Sequence, residues 1–231
     1  KGKPMVLAFF KGSSNEGDFE HIVTRSISML ADARHSFDLA TLALLTEADP
    51  ASVAEDIRNT DQRINEAEQD LRSELIVHVS VKGGADIGSV LGFTLLLKKI
   101  ERIGDQAKNI LELSEAGVQL SGTPETDDLL AGRQVLSALF AEAGELLGDH
   151  GANDEELADY AVRVDAITAE HQSKIDGFMT SERPGKEVVP LAIYYRYLRR
   201  TAANLLGVVR TSAEPFPHAD YLDDGTVDTD D

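Results

Sequence analysis

Apolar residues recur every three or four positions along most of this chain, the spacing typical of helices that bury one face. The pattern predicts an all-α protein with six long helices. Their predicted ranges are about 18–47, 51–81, 86–116, 125–149, 153–181 and 187–212. Asp49-Pro50, Gly83-Gly84 and the stretch 181–185 hold the residues that end helices, so the predicted breaks have a local cause.

The second half of the chain resembles the first. Residues 57–71 align with 161–175 at a constant offset of 104, which places Asp61 opposite Asp165. Chance similarity between helices is the alternative, but the constant offset favours a duplication. We therefore predict two tandem antiparallel three-helix bundles, with turn residues of the stretch 117–124 between them. The predicted units are 1–117, a bundle with a short N-terminal extension, 124–213, a second bundle, and 214–231.

Residues 214–231 hold seven acidic side chains, no basic one and two prolines. This composition is typical of a disordered segment, because it offers too little apolar surface to offset the entropy of ordering the chain. We call this stretch the acidic tail and expect it to be dispensable for folding. Without it the formal charge of −19 falls to about −12, so the helical body is acidic as well.

Composition excludes several classes of function. The chain has no cysteine, which excludes disulfides, thiolate catalysis and cysteine metal sites. The net charge of −19 argues against nucleic-acid and anionic-lipid partners. No apolar run approaches the ~18 residues that a membrane span needs, and the run 5–10 is shorter than a signal-peptide core. We predict a cytoplasmic protein, and the sequence contains no nucleophile elbow, Walker loop or dinucleotide fingerprint.

Two predicted helices carry carboxylates beside their apolar stripes. Asp61, Asn65 and Glu68 share one side of the second helix, and Glu101 and Asp105 stand four residues apart on the third. If these helices are neighbours, the five side chains face one another across a shallow groove. All-oxygen ligands suit hard divalent cations. The alternative is a solvated acidic face that Lys98, Arg102 and Lys108 neutralise.

The histidines give weaker indications. His78 stands four residues after Glu74, and we interpret the two as a surface pair rather than as metal ligands. His35 and His171 have no ligand partner at a suitable spacing, and the Glu-x-x-His motif of di-iron bundles is absent.

The stretch 99–110, with Glu101, Asp105 and Asn109, resembles the third-helix signature of the PhoU family of phosphate-uptake regulators. Residues 60–68 resemble the second-helix motif of that family, and Asp86 fits the aspartate that opens the third helix. The resemblance implies two tandem three-helix bundles. It also implies a divalent or trivalent metal ion in the first bundle (iron, zinc, manganese, magnesium or nickel). The expected ligands are Asp61, Asn65, Glu68, Glu101 and Asp105.

The second bundle departs from the family pattern. Where both carboxylates are expected, the chain reads Arg199-Arg200-Thr201-Ala202-Ala203. Asp165 remains, but Ala169 and Gln172 replace its companions. A second metal cluster is therefore not expected. Arg196, Arg199 and Arg200 form a basic face that could bind an anion or an acidic partner helix, although pairing with the chain's own carboxylates is the favoured interpretation.

The resemblance further implies regulation rather than catalysis. PhoU-like proteins couple a phosphate ABC transporter to a sensor histidine kinase and repress the phosphate-starvation response when phosphate is plentiful. The expected partners are those two proteins, with contact to the membrane only through them, and a homodimer is possible. Two alternatives stay open: a carboxylate-bridged metal-binding protein or enzyme, and a soluble accessory domain of a phosphate transporter.

Overall fold

A computed structural model describes residues 16–148 and 153–213, and in this part of the chain the regular secondary structure is helical, without strands. The helices are α1 (Glu16–Leu45), α2 (Ala51–Lys82), α3 (Ile87–Glu115), α4 (Thr126–Gly148), α5 (Asp154–Met179) and α6 (Gly185–Ala213). The predicted all-α class and the six helices are confirmed, and every end lies within two residues of its predicted position. The acidic tail and the run 5–10 lie outside the described residues, so the expectations about them stay predictions.

The first three helices form an antiparallel bundle. Ion pairs record the direction of α1 against α2: Arg25 contacts Glu74 near one end, and His35 contacts Asp56 near the other. Leucine, isoleucine and phenylalanine side chains fill the space between the three helices, with Phe37, Ile64 and Ile100 almost wholly buried. Burying each such side chain contributes about 1.5–3 kcal/mol relative to leaving it exposed, so the bundle rests chiefly on this core.

The second bundle is built around α6, which packs along α5 and against α4. A capping box begins α5: the Asn153 side chain accepts hydrogen bonds from the Glu155 and Glu156 backbone amides, and the Glu156 carboxylate accepts one from Asn153 N–H. The buried Tyr160 hydroxyl donates to the Leu139 carbonyl, which ties α5 to α4. The second bundle is thus stabilised by a helix cap and a buried hydrogen bond of its own.

The two bundles lie side by side rather than end to end. Helix α3 packs along α6, and α1 packs along α4, while α2 packs chiefly on α1 and α3. Phe37 of α1 contacts Phe140 of α4, with ring centroids 5.4 Å apart. One continuous hydrophobic core runs through both halves. The link between them is anchored as well, because Leu120 is buried and its N–H donates to the Leu44 carbonyl.

None of the described helices has the length and apolar character that crossing a bilayer requires.

Candidate functional site

The site predicted from the sequence lies where α2 and α3 approach closely. Gly104 of α3 faces Ile64 of α2, and a Cβ at Gly104 would lie 3.2 Å from Ile64 Cδ1 and 3.9 Å from Asp61 Oδ1. A larger residue would hold the helices apart, so this glycine sets their spacing. We call the five side chains along this contact the carboxylate seam. They are Asp61, Asn65 and Glu68 of α2 and Glu101 and Asp105 of α3.

A lysine joins the two sides of the carboxylate seam. Lys108 Nζ donates to Asp61 Oδ2 of α2 and to Asp105 Oδ1 of its own helix, both at 3.1 Å. Partial burial pulls the pKa of Lys108 down, but the hydrogen bonds to Asp105 and Asp61 outweigh it, so the pKa is raised. The ammonium group is therefore firmly charged and occupies the position between the two carboxylates.

The remaining seam residues are held mainly from their own helices. Glu68 is almost buried and accepts a hydrogen bond of 3.0 Å from Arg72, while Asn65 Nδ2 donates to Asp61 Oδ2 at 3.4 Å. Glu101 Oε2 lies 2.7 Å from Lys98 Nζ, but the angles are not those of a hydrogen bond, and this buried oxygen has no hydrogen-bond partner. The seam thus contains one buried carboxylate oxygen that is ion-paired with Lys98 but makes no hydrogen bond.

The structure brings together part of the predicted ligand set. Asp61 and Asp105 meet at Lys108, and Asn65 donates to Asp61. Glu68 and Glu101 are instead engaged by Arg72 and Lys98. Among the described residues, no three histidine, aspartate or glutamate side chains converge on one point as a ready metal site. The donor chemistry suits a hard cation, and a metal bound between Asp61 and Asp105 would have to displace the Lys108 ammonium group.

The matching positions of the second bundle behave differently. Asp165, the counterpart of Asp61, pairs with Arg210 at 3.2 Å, and Gln172 donates to Asp176. Arg196, Arg199 and Arg200 lie on α6 without an ion pair to any described carboxylate. The favoured interpretation that they pair with the chain's own acidic side chains is therefore wrong for the part of the chain that the structure describes.

The sequence interpretation of His78 is also wrong. His78 is largely buried and its Nε2 lies 3.0 Å from Asp86 Oδ2, whereas Glu74 pairs with Arg25. Asp86 does stand at the start of α3, but its side chain makes no cap hydrogen bond to the backbone. The Asp86 carboxylate contacts His78 across the turn instead. Since the turn between α2 and α3 sets this pairing, spacing within one helix could not reveal it.

Sequence reasoning missed a cleft at the end of the second bundle. It has a volume of about 450 Å³, and its lining includes Glu125, Asp128, Lys174, Phe178 and Arg183. Two ion pairs, Arg183–Glu125 at 2.5 Å and Lys174–Asp128 at 3.3 Å, neutralise its charges. Each pair joins residues at least 46 positions apart, so no local pattern indicates the cleft.

Comparison with known proteins gives a match to a family model and a match in fold to a solved structure. Residues 26–114 match the model of the PhoU domain, and this stretch contains the whole carboxylate seam. The crystal structure of PhoU from Pseudomonas aeruginosa matches with a TM-score of 0.69 at 16% sequence identity, covering 86% of this chain and 97% of that chain. No curated protein matches the chain.

Proposed function

Since residues 26–114 match the model of the PhoU domain, and the chain has the fold of PhoU, we propose that it regulates phosphate homeostasis. In the finer form of the proposal, it is a non-catalytic cytoplasmic protein that docks on a phosphate ABC transporter and a sensor histidine kinase. It reaches the membrane only through these partners. Docking represses the phosphate-starvation response when phosphate is plentiful.

The observation that carries this proposal is the carboxylate seam inside the PhoU-domain match. The seam is a charged helical surface of defined shape, because close packing at Gly104 and the bridge through Lys108 hold its two sides together. Charged surfaces held in one arrangement select partners and speed association more than they add affinity. A regulator that acts by docking needs this property.

Deleting the gene tests the proposal. In phosphate-rich medium, the deletion strain is expected to express phosphate-starvation genes at a raised level or to take up phosphate at a changed rate. Transcript measurement and radioactive phosphate uptake give the two readouts. If gene expression and phosphate uptake both stay unchanged and the purified protein turns over a substrate, the enzyme alternative replaces the regulatory proposal.

A metal ion on the carboxylate seam is a second proposal, favoured by the buried Glu101 oxygen that is paired with Lys98 but makes no hydrogen bond. The five seam residues would hold a divalent or trivalent ion, which would neutralise their charge and join α2 to α3. Lys108 competes with the ion for Asp61 and Asp105. Replacing this lysine with alanine should therefore raise the affinity of the seam for the metal.

Titration calorimetry with Mn²⁺ and Mg²⁺, supported by elemental analysis, tests the metal proposal. Lys108→Ala should bind more tightly than the wild-type chain, and an additional Glu101→Ala, Asp105→Ala change should abolish binding. Lys174→Ala, which removes a comparably exposed paired lysine in the second bundle, is the matched control. If neither Lys108→Ala nor the added Glu101→Ala, Asp105→Ala change alters the metal affinity, any bound ion lies outside the carboxylate seam.

A further inference from the structure

Four arginines differ from the others in this chain because they make no ion pair with a described carboxylate. The sequence has thirteen arginines, and all of them lie within the described residues. Nine make an ion pair with a carboxylate, namely Arg25, Arg34, Arg58, Arg63, Arg72, Arg133, Arg163, Arg183 and Arg210. The other four make none with any described carboxylate. We call these four the arginine strip: Arg102, Arg196, Arg199 and Arg200.

Three residues of the arginine strip lie beside the contact between α3 and α6, and Arg199 lies about 60° around α6 from Arg196. Arg196 and Arg200 lie on the same side of α6 as Gly207, being eleven and seven residues before it. Gly207 faces α3, since a Cβ there would meet the Lys99 side chain at 2.5 Å. Because successive helices alternate in direction, α3 and α6 run antiparallel. Arg102, three residues after Lys99, therefore comes level with about residue 204, roughly one turn from Arg200.

Electrostatics makes this grouping unusual. Three of the four side chains are exposed and Arg199 is half-buried, so like charges crowd one surface. The chain has a surplus of 19 negative charges, yet none of the described carboxylates pairs with the strip. A surface of this kind attracts an acidic occupant, because carboxylates bind the guanidinium group in a bidentate geometry.

We propose that the occupant is the chain's own acidic tail, residues 214–231, folded back along α6. The tail follows Ala213, the last residue of the helix that carries three of the four arginines. It supplies seven carboxylates and no competing cation. The tail sequence also contains Pro215 and Pro217, a residue type that is unfavourable inside a helix.

The distances fit this path. From Ala213 back to Arg200 is about 20 Å along α6, and to Arg196 about 26 Å, at a rise of 1.5 Å per residue. Seven extended residues reach roughly 24 Å, so Asp220 comes level with Arg200. Asp223 and Asp224, about 34 Å of extended chain from Ala213, reach past Arg196. Three tail carboxylates can therefore lie against the strip at once.

The tail would then neutralise the charges of the strip. Because it is tethered, its effective concentration at the strip is on the order of millimolar, and an acidic partner must compete with it. The contact depends on charge, so it weakens as salt rises. This self-contact does not depend on the role in phosphate regulation, and a negative result in either test leaves the other proposal standing.

A spin label in the tail of the full-length chain tests the proposal. The chain has no cysteine, so Thr226→Cys provides a single attachment site for a nitroxide. The amide signals of residues 195–201 should lose roughly half or more of their intensity at low ionic strength. They should recover near 1 M salt, where the Debye length is ~3 Å. The label should leave α2 unaffected.

Two matched sets of variants decide the outcome. Arg196→Gln, Arg199→Gln, Arg200→Gln should abolish the broadening, and so should Asp220→Asn, Asp223→Asn, Asp224→Asn in the tail. The control Arg25→Gln, Arg58→Gln, Arg63→Gln removes the same charge from other helices and should leave the broadening intact. Absence of broadening in the wild-type chain, or its persistence in the arginine variant, would overturn the proposal and leave the strip to an acidic partner protein.

Discussion

At the scale of single residues, His171 is the group whose protonation the fold most strongly opposes. It is 4% exposed, its ring lies 5.5 Å from that of Tyr195, and its Nδ1 has no hydrogen-bond partner. Burial, together with the nearby Lys174 charge, lowers the pKa of His171 to about 4. The folded protein therefore holds this imidazole neutral where an unfolded chain protonates it.

This makes stability depend on pH in a defined window. Below about pH 6.5 the unfolded chain is protonated at His171, whereas the folded chain becomes protonated there only near pH 4. The free energy of unfolding should therefore fall as pH falls from 6.5 to 4, by roughly 3 kcal/mol from this residue. Urea unfolding of the wild-type chain and of His171→Leu at several pH values measures this contribution. The carboxylates are common to both chains, so their effect cancels in the difference between the two free energies of unfolding. A difference that stays constant over this window would contradict the assignment.

Residue-level pairings could be predicted only where both partners belong to one helix. The alternative interpretation of the sequence was that Lys98, Arg102 and Lys108 neutralise Glu101 and Asp105. The two lysine contacts are present, whereas Arg102 pairs with no described carboxylate. It could not indicate that Lys108 also bonds Asp61, because that contact depends on the register of α3 against α2. The metal-ligand set depends on the same register, because sequence spacing determines the helix face whereas packing determines which side chains meet. It stays a prediction.

At the scale of the helices, the approach of α2 to α3 depends on the missing side chain at Gly104. A valine there would press on Ile64 Cδ1 and on Asp61. We expect Gly104→Val to lower the free energy of unfolding by about 1–3 kcal/mol, the usual cost of overpacking. Thermal and urea unfolding measure this.

Gly132 of α4 provides the control, because nothing lies within 4 Å of a Cβ built there. Gly132→Val should change the free energy of unfolding by less than about 0.5 kcal/mol, since a valine is at least as good a helix former as glycine. Equal effects at the two positions would show that close packing at Gly104 does not set the helix spacing.

Helix number and helix ends were predictable because their causes are local. Prolines, glycines and capping residues mark the breaks within a few positions, and the 3.6-residue period marks the buried faces. The side-by-side arrangement of the bundles was not predictable in this way. The apolar side chains of α1, α3, α4 and α6 belong to one continuous core, and periodicity does not distinguish neighbours within a bundle from neighbours across it.

The acidic tail should matter little for folding even if it contacts the arginine strip. Exposed ion pairs contribute about 0–1 kcal/mol each and are screened by salt. A chain that ends at Ala213 should therefore melt within roughly 4 °C of the full-length protein at physiological salt. Differential scanning calorimetry of the two chains provides the comparison, and a much larger loss would mean that the tail is part of the packed structure.

At the scale of the whole molecule, the two halves share one core but differ in their surface chemistry. The first half carries the carboxylate seam, within the residues that match the PhoU domain. The second carries three of the four arginines of the strip, and one of them, Arg199, stands where the first half has Glu101. A duplicated scaffold with one acidic and one basic helical surface suits a protein that binds others through charge.

The most direct test of this account is complementation of the gene-deletion strain, read as phosphate-starvation gene expression in phosphate-rich medium. The wild-type chain should restore repression, whereas Asp61→Asn, Glu101→Gln, Asp105→Asn should restore much less, provided that circular dichroism shows an unchanged helical fold. A matched variant with Glu142→Gln, Asp159→Asn and Asp176→Asn in the second bundle should restore repression fully. Equal repression by all three chains would contradict the role of the carboxylate seam, and repression that never depends on the gene would contradict the regulatory function itself.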